Sequence, residues 1–205
     1  MAFDAHWLCT GDTLSCDTND DGMVGHKISG MWVLSTEVPQ ALWEYYMHSN
    51  PSPTPHCDTM PVTAMEISDI DTFLHRISKS THLQWRLPTS DEWLYIYYGG
   101  MFSEGYRYCG SNRHRWVAWT ADNSGGTMHP IAQRIPNEAR MYDMLGNAAE
   151  MATENGNIVM LGGSYRDKIH NSEFKIRKTL EETPPEIRSF RIVADKALWF
   201  EEKQP

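Results

Sequence analysis

Between Leu161 and Phe174 the chain reads LGGSYRDKIHNSEF, two glycines that permit unusual backbone angles followed by a crowd of polar side chains. Arg166, Asp167, Lys168, His170, Asn171, Ser172 and Glu173 could make an active site, a binding surface or a solvated loop. A second group is MYDMLGNAAEM (Met141 to Met151), where Asp143 and Glu150 flank a Leu-Gly-Asn turn. Two carboxylates with inward-pointing turn carbonyls offer the mixed oxygen ligands that suit calcium, and a plain turn capped by Asp143 is the alternative. DTNDDG (Asp17 to Gly22) matches the opening of an EF-hand loop, but the twelfth position is Ile28 and no helical pattern flanks it, so it reads as an acidic loop. Nucleophilic catalysis has no signature: GxSxG is absent, and the nine histidines form neither HxxxH nor HExxH. Cys9, Cys16, Cys57 and Cys109 form no CxxC pair and no zinc pattern. They read as free thiols, with a Cys9–Cys16 disulfide left open for an oxidising compartment.

These groups need a frame. A chain of 205 residues suits a single domain with a full core, read as 1–205. The net charge of −9 argues against nucleic acid, where basic residues must cluster to neutralise phosphates. No apolar run approaches the roughly 20 residues that span a bilayer. The opening MAFDAHWLCTGDTL has no basic start and no long apolar stretch, so it does not read as a secretory signal, and the compartment stays open.

Three helices are predicted. One begins at Pro39, suited to a first helical position, and runs through QALWEYYM. The second, SDIDTFLHRISKS, takes Ser68 as N-cap and sets Ile70, Phe73, Leu74 and Ile77 at helical spacing. The third follows RLPTSDEW, where Thr89 and Glu92 have capping-box spacing and Gly99-Gly100 closes the helix. HKISGMWVLSTEV reads as a strand, and RSFRIVADK as a last strand pairing back near it. Turn clusters at YCGSNRH, ADNSGGTMHP and RIPNEAR leave only brief apolar stretches such as RWVAW and NIVML, too broken for a bundle or a doubly wound sheet. The expected class is α+β: about three helices, a small antiparallel sheet and long ordered loops.

Six segments in order, STEVPQALWEYYM, MPVTAMEISDIDTFL, WRLPTSDEWLYIYYGG, HPIAQRIPNEARMYDMLGNAAEM, LGGSYRDK and SFRIV, resemble the formylglycine-generating enzyme (sulfatase-modifying factor) family over residues 14–195, leaving 196–205 as a tail. The resemblance implies a C-type-lectin-like fold. It implies a structural calcium held by the side chains of Asp143 and Glu150 and the carbonyls of Gly146 and Ala148. The family's other calcium loop falls near RWVAWTADN, where Trp116 replaces the expected Asn. Catalytic members carry two copper(I)-binding cysteines just after the Gly-Gly-Ser turn, where oxygen is activated to convert a substrate cysteine to formylglycine. Asp167 and Ser172 stand there instead. Neither is the soft ligand copper(I) requires, so copper and that reaction are not expected. The family's Trp-Glu-Trp is Ala149-Glu150-Met151 here, and its final Gly-Phe-Arg is Ser189-Phe190-Arg191.

The expected function is a non-catalytic recognition or structural module of the kind found in phage, surface and retroelement variable proteins. Its face would comprise Tyr165, Arg166, Asp167, Lys168, His170, Ser172, Glu173, Lys175 and Arg177, and its partner would be a protein or a glycan, with assembly into a larger particle left open. Nucleic-acid binding and membrane insertion are not expected. The alternative is a metal-dependent oxidase or oxygenase with a non-cysteine site of His170, Asp167 and Glu173, with His129 as a further ligand. A third reading brings Cys109 to the pocket from another loop.

Overall fold

The computed structural model describes residues 25–28, 30–169 and 177–195. Cys9, Cys16, the DTNDDG loop, His170, Ser172, Glu173, Lys175 and the 196–205 tail lie outside them.

The first predicted strand is in fact a hairpin. β1 (Gly25–Ile28) and β2 (Met31–Leu34) pair antiparallel with Ile28 opposite Met31, and Gly30 turns the chain at φ +86°. The first helix, α1 (Gln40–Met47), starts one residue after the predicted position. Pro39 is its N-cap with extended backbone, drawn there by a β-bridge to Pro61. α2 (Ile67–Thr81) has Glu66 as N-cap, so Ser68 lies inside the first turn. Ile67 packs on the core and pulls the helix start ahead of the capping preference. After the short β3 (Trp85–Arg86), α3 (Ser90–Tyr97) carries the predicted capping box: Glu92 N–H donates to Thr89 Oγ1 and Thr89 N–H to Glu92 Oε2. RWVAW contributes to an additional short helix, α4 (His114–Val117).

β4 (Ala149–Glu154) and β5 (Asn157–Leu161) form a second hairpin with Glu154 opposite Asn157. Its two turn residues, Asn155 and Gly156, both have positive φ, the conformation an Asn-Gly pair favours. β6 (Lys178–Thr179), β7 (Arg188–Ser189) and β8 (Val193–Ala194) follow. The last predicted strand is thus split between two sheets. β8 pairs with β2 as expected, within the order β1-β2-β8-β3, while β7 runs parallel to β4 in the order β6-β5-β4-β7. The architecture is α+β with two four-stranded sheets, larger than the one small sheet expected.

Phe190, between the two strands of this split segment, fastens the sheets together. It meets Trp43 and Phe73 edge-on, and those two rings stack at 5.2 Å. A second buried cluster gathers Trp93, Tyr97, Met141, Met144, Leu145 and Val193 under the long 99–148 connection. No helix among the described residues is long and apolar enough to cross a membrane.

Candidate functional site

The two chemical segments of the sequence lie against each other. Gly146 N–H donates to Gly162 O and Tyr165 N–H to Asn147 O, so the Gly-Gly-Ser turn rests on the Leu-Gly-Asn turn. Gly162 has φ +80°, and a Cβ there would come within 2.9 Å of the Met144 carbonyl oxygen and 3.1 Å of the Trp93 ring, which explains the glycine.

Asp167, which the resemblance sets at a copper-ligand position, is turned into the protein. Its Oδ2 accepts from the Ser164 N–H and hydroxyl, both at 2.9 Å, and its Oδ1 from Lys178 Nζ at 2.5 Å. Its carbonyl accepts from Ala121 N–H. The carboxylate therefore closes a turn, with both oxygens already accepting hydrogen bonds. Tyr165 packs with Met128, Ala148 and Ile187 and keeps only 9% of its surface exposed. Arg166 is exposed, donating from Nε to Tyr165 Oη and from Nη1 to Glu186 Oε1, each at 3.0 Å. Lys168 is exposed, and Arg177 pairs instead with Glu154 on β4. Of the nine expected face residues, then, Tyr165 and Arg166 share one cleft, Asp167 braces it from behind, and Arg177 points to a different neighbour.

That cleft has a volume of about 510 Å³ and is walled by the 53–60 loop, Thr127, Met128, Tyr165, Arg166 and Glu186. The loop wall is held by one buried amide. Gln40 Nε2 donates to Thr54 Oγ1, and its Oε1 accepts from Asn50 Nδ2 and Cys57 N–H. The Pro-rich stretch NPSPTPHCDTMP is thereby an ordered part of the site. It also brings the partly buried free thiol of Cys57 to the cleft, which the sequence reading did not foresee. Cys109 is elsewhere: it is buried in the second core cluster, and burial pushes its thiol well above the usual range.

Behind the cleft lies a buried charge cluster. Arg191 donates from Nε and Nη2 to the two oxygens of Glu150 at 2.6 and 2.5 Å, and Trp93 Nε1 adds a third bond to Glu150 at 2.7 Å. Arg191 also reaches the carbonyls of Leu34 and Tyr142. Asp143 and Glu37 are buried beside this pair. Burial pushes the Asp143 carboxyl up to about 6, opposed by the Ala132 N–H and Arg191. Burial, with the charges of Asp143 and Glu150, also holds the Glu37 carboxyl well above its usual range. Glu37 accepts from Asn147 Nδ2 through one oxygen and Asp143 from Ala132 N–H through one of its own; Glu37 Oε2 and Asp143 Oδ1 have no hydrogen-bond partner among the described residues.

One guanidinium among three buried carboxyl groups leaves Asp143 and Glu37 held toward their neutral forms, and two of their buried oxygens lack partners among the described residues. Both features fit a bound cation in the Asp143 turn, with Asp143 at φ +54°, Gly146 at +75° and Asn147 at +52°. Glu150 fits that role less well than Asp143, because Arg191 and Trp93 already cover both its oxygens.

For the iron-type alternative, His129 stacks on Trp119 with centroids 3.6 Å apart and donates from Nε2 to Ser124 O at 2.8 Å. It serves the loop, as Asp167 does. Among the described residues, the predicted partners of such a site are already engaged.

Residues 7–196 match the family of sulfatase-modifying factor enzyme 1-like domains. A segment of 87 residues is 33% identical to a chaperone protein LppX of Paenibacillus barcinonensis, covering 34% of this chain; the chain spans 31% of that relative's length. Three solved structures share the fold. Treponema denticola variable protein 1 superposes with a TM-score of 0.68 at 19% identity, covering 95% of this chain and 93% of its own. PvdO from Pseudomonas aeruginosa gives 0.62 at 16% identity, with 80% of each chain covered. CarF gives 0.60 at 22% identity, covering 80% of this chain and 86% of its own.

Proposed function

The chain belongs to the family of sulfatase-modifying factor enzyme 1-like domains, and from that premise we propose that it is a recognition module that keeps the family scaffold without the family's copper chemistry. The observation that carries this reading is Asp167. Where the resemblance calls for a soft thiolate, a hard carboxylate is bonded to Ser164 and Lys178, closing the turn beside an open cleft. Cys57 brings a single thiol to that cleft, and one thiol does not replace a ligating pair. The cleft offers what a binding site for a protein or glycan segment needs: an aromatic floor in Tyr165, two methionines, Met60 and Met128, and a charged rim in Arg166 and Glu186. Tyr165 is fixed by its packing and by Arg166, so little side-chain freedom is lost on binding. A calcium ion in the Asp143–Glu150 turn belongs to the same reading. It would be held by Asp143 and the carbonyls of Gly146 and Ala148, with Glu150 shared with Arg191, and would supply positive charge beside these carboxyl groups.

The test is binding to peptide and glycan arrays by the parent and by an Arg166→Ala/Glu186→Ala variant, with elemental analysis of both. That ion pair is near half-exposed, so the variant stays folded. Array binding by the parent that disappears in the variant supports the module. Stoichiometric copper or iron, with no array binding and with oxygen-dependent oxidation of a cysteine peptide, overturns it.

A further inference from the structure

A second groove lies on a different set of loops from the cleft. Trp116, Ala132, Gln133, Arg134, Ile135 and Tyr142 line an open depression of about 630 Å³. Trp116 and Ile135 are 51% and 56% exposed, and the Ile135 N–H bond to Trp116 O holds the two walls in register.

The charge around this groove is unlike the rest of the molecule. Elsewhere among the described residues, Arg86, Arg166, Arg177 and Arg191 are each paired with a carboxylate, and Arg76 and Arg188 donate to backbone carbonyls. Between Tyr106 and Tyr142, in a chain of net charge −9, five arginines face two carboxylates. None of the five forms an ion pair among the described residues. Three rest instead on aromatic faces: Arg107 over Tyr108 at 5.4 Å, Arg113 over Trp116 at 4.9 Å and Arg134 over Trp119 at 3.5 Å. Neither local carboxylate forms an ion pair with an arginine among the described residues. Glu138 accepts from Glu104 N–H, and Asp122 lies beside His114. Asp143 is the acid whose charge reaches Arg134, without an ion pair or hydrogen bond between the two.

A guanidinium lying flat on an aromatic ring keeps its N–H edge available and its orientation fixed, which is how a carboxylate is gripped with little entropic loss. Arg134 Nε is itself buried without a hydrogen-bond partner among the described residues, and the side chain as a whole is half-buried and lines the groove, so the edge open to a ligand is that of the Nη groups. Beside it are the apolar surfaces of Trp116 and Ile135, joined by Ala132. We propose that this groove docks an acidic segment of a partner protein. A carboxylate of the segment sits on Arg134, with Arg113 reinforcing the positive field, and a neighbouring apolar side chain lies on the Trp116–Ile135 wall. The apolar share of the groove, from Trp116, Ala132, Ile135 and Pro136, favours a peptide with an apolar side chain over a sulfated or uronic-acid glycan, since few neutral polar groups in the lining face sugar hydroxyls.

The experiment measures fluorescence anisotropy of a labelled peptide of alternating Glu and Leu on the whole chain, against a Lys-Leu peptide and a heparin oligosaccharide. Saturable binding of the Glu-Leu peptide alone, weakening as salt is raised, is expected. Arg134→Met keeps the stacking volume and removes the charge, and Gln133→Glu places a like charge in the groove on an exposed residue that folding does not need. Each is expected to weaken binding by about tenfold, the value of one charge-assisted contact. Arg166→Ala, in the cleft, is expected to leave it unchanged, so failure of the cleft reading and of this one are separable. No binding of the Glu-Leu peptide, binding unaffected by both groove variants, or binding of the heparin oligosaccharide in its place overturns the proposal.

Discussion

Replacing Arg191 by Lys keeps the charge and removes the fork, and the structure sets what that should cost. Arg191 is fully buried and donates two short bonds to Glu150 and two longer ones to the carbonyls of Leu34 and Tyr142. A lysine ammonium has three donors on one nitrogen and cannot span both carboxylate oxygens and two carbonyls set apart from them. At least two of the four bonds are lost. Hydrogen bonds involving a charged group are worth about 1.5–3 kcal/mol each, and breaking a buried pair outright costs about 3–5 kcal/mol. Arg191→Lys should therefore cost about 3 kcal/mol and Arg191→Met about 4 kcal/mol, a large share of the 5–15 kcal/mol typical of a domain. Urea unfolding followed by tryptophan fluorescence reads this directly, with both Trp93 and Trp43 buried in the core. Adding Glu150→Gln to Arg191→Met should recover part of the loss, because the stranded carboxylate is gone. If Arg191→Lys costs less than about 1 kcal/mol, the forked geometry is not what stabilises this cluster and the argument from it fails.

Two further outcomes are expected. Chelation of calcium should lower the melting temperature of the parent and leave that of Asp143→Ala unchanged, because an ion bound only by the native state stabilises it by mass action; no shift in the parent removes the ion from the Asp143 turn. Glu92 is held below the ordinary carboxyl range chiefly by its hydrogen bond to Arg86, so its contribution is present above pH 4.5 and lost as pH falls through its lower folded value. Glu92→Gln keeps an acceptor for the Thr89 N–H. Its cost at neutral pH should be under about 1 kcal/mol, and the stability difference from the parent should shrink in acid; a difference constant with pH shows that the ion pair does not titrate with folding.

Local signals were read well wherever they were complete in a few residues. Thr89 and Glu92 form the capping box their spacing announced, because both bonds close within one helical turn. Ser68 failed as a cap because Ile67 found a place in the core, and tertiary packing outweighed a preference worth about 1 kcal/mol. The Asn155-Gly156 pair is a hairpin signal in the sequence, but the short strands on either side give it little periodic support. At the site, residue types showed that Asp167 does not supply a thiolate, but nothing in the spacing could show that Lys178 neutralises it. The Cys57 wall of the cleft was equally out of reach. It depends on Gln40, a residue of α1 whose polar side chain gave no pattern.

Gln40 belongs to a class that explains why so irregular a chain holds a fixed shape. Asn137 donates from Nδ2 to the carbonyls of Ile96 and Tyr97 and accepts at Oδ1 from the N–H groups of Ala139 and Met141. Asn147 bonds His129 through both its backbone groups and reaches Glu37. Asp143 takes the Ala132 N–H, and Asp167 takes that of Ser164. In each case a buried or half-buried side chain supplies the partner that a helix or sheet would otherwise give to a loop's backbone. The connection between α3 and β4 runs from residue 98 to 148 with only a 3-10 turn at Gly100–Phe102 and the short α4, yet Asn137, Asp143 and Asn147 give several of its backbone groups their partners. Such pins carry no periodicity, which is why they escape a reading built on periods of 2 and 3.6 residues. They also fix where the chemistry can go. A loop held by its own buried amides presents its outer side chains at constant positions whatever those side chains are, and that is the condition under which Tyr165 and Arg166, or Trp116 and Arg134, can serve as binding surfaces on a scaffold whose family is known for catalysis.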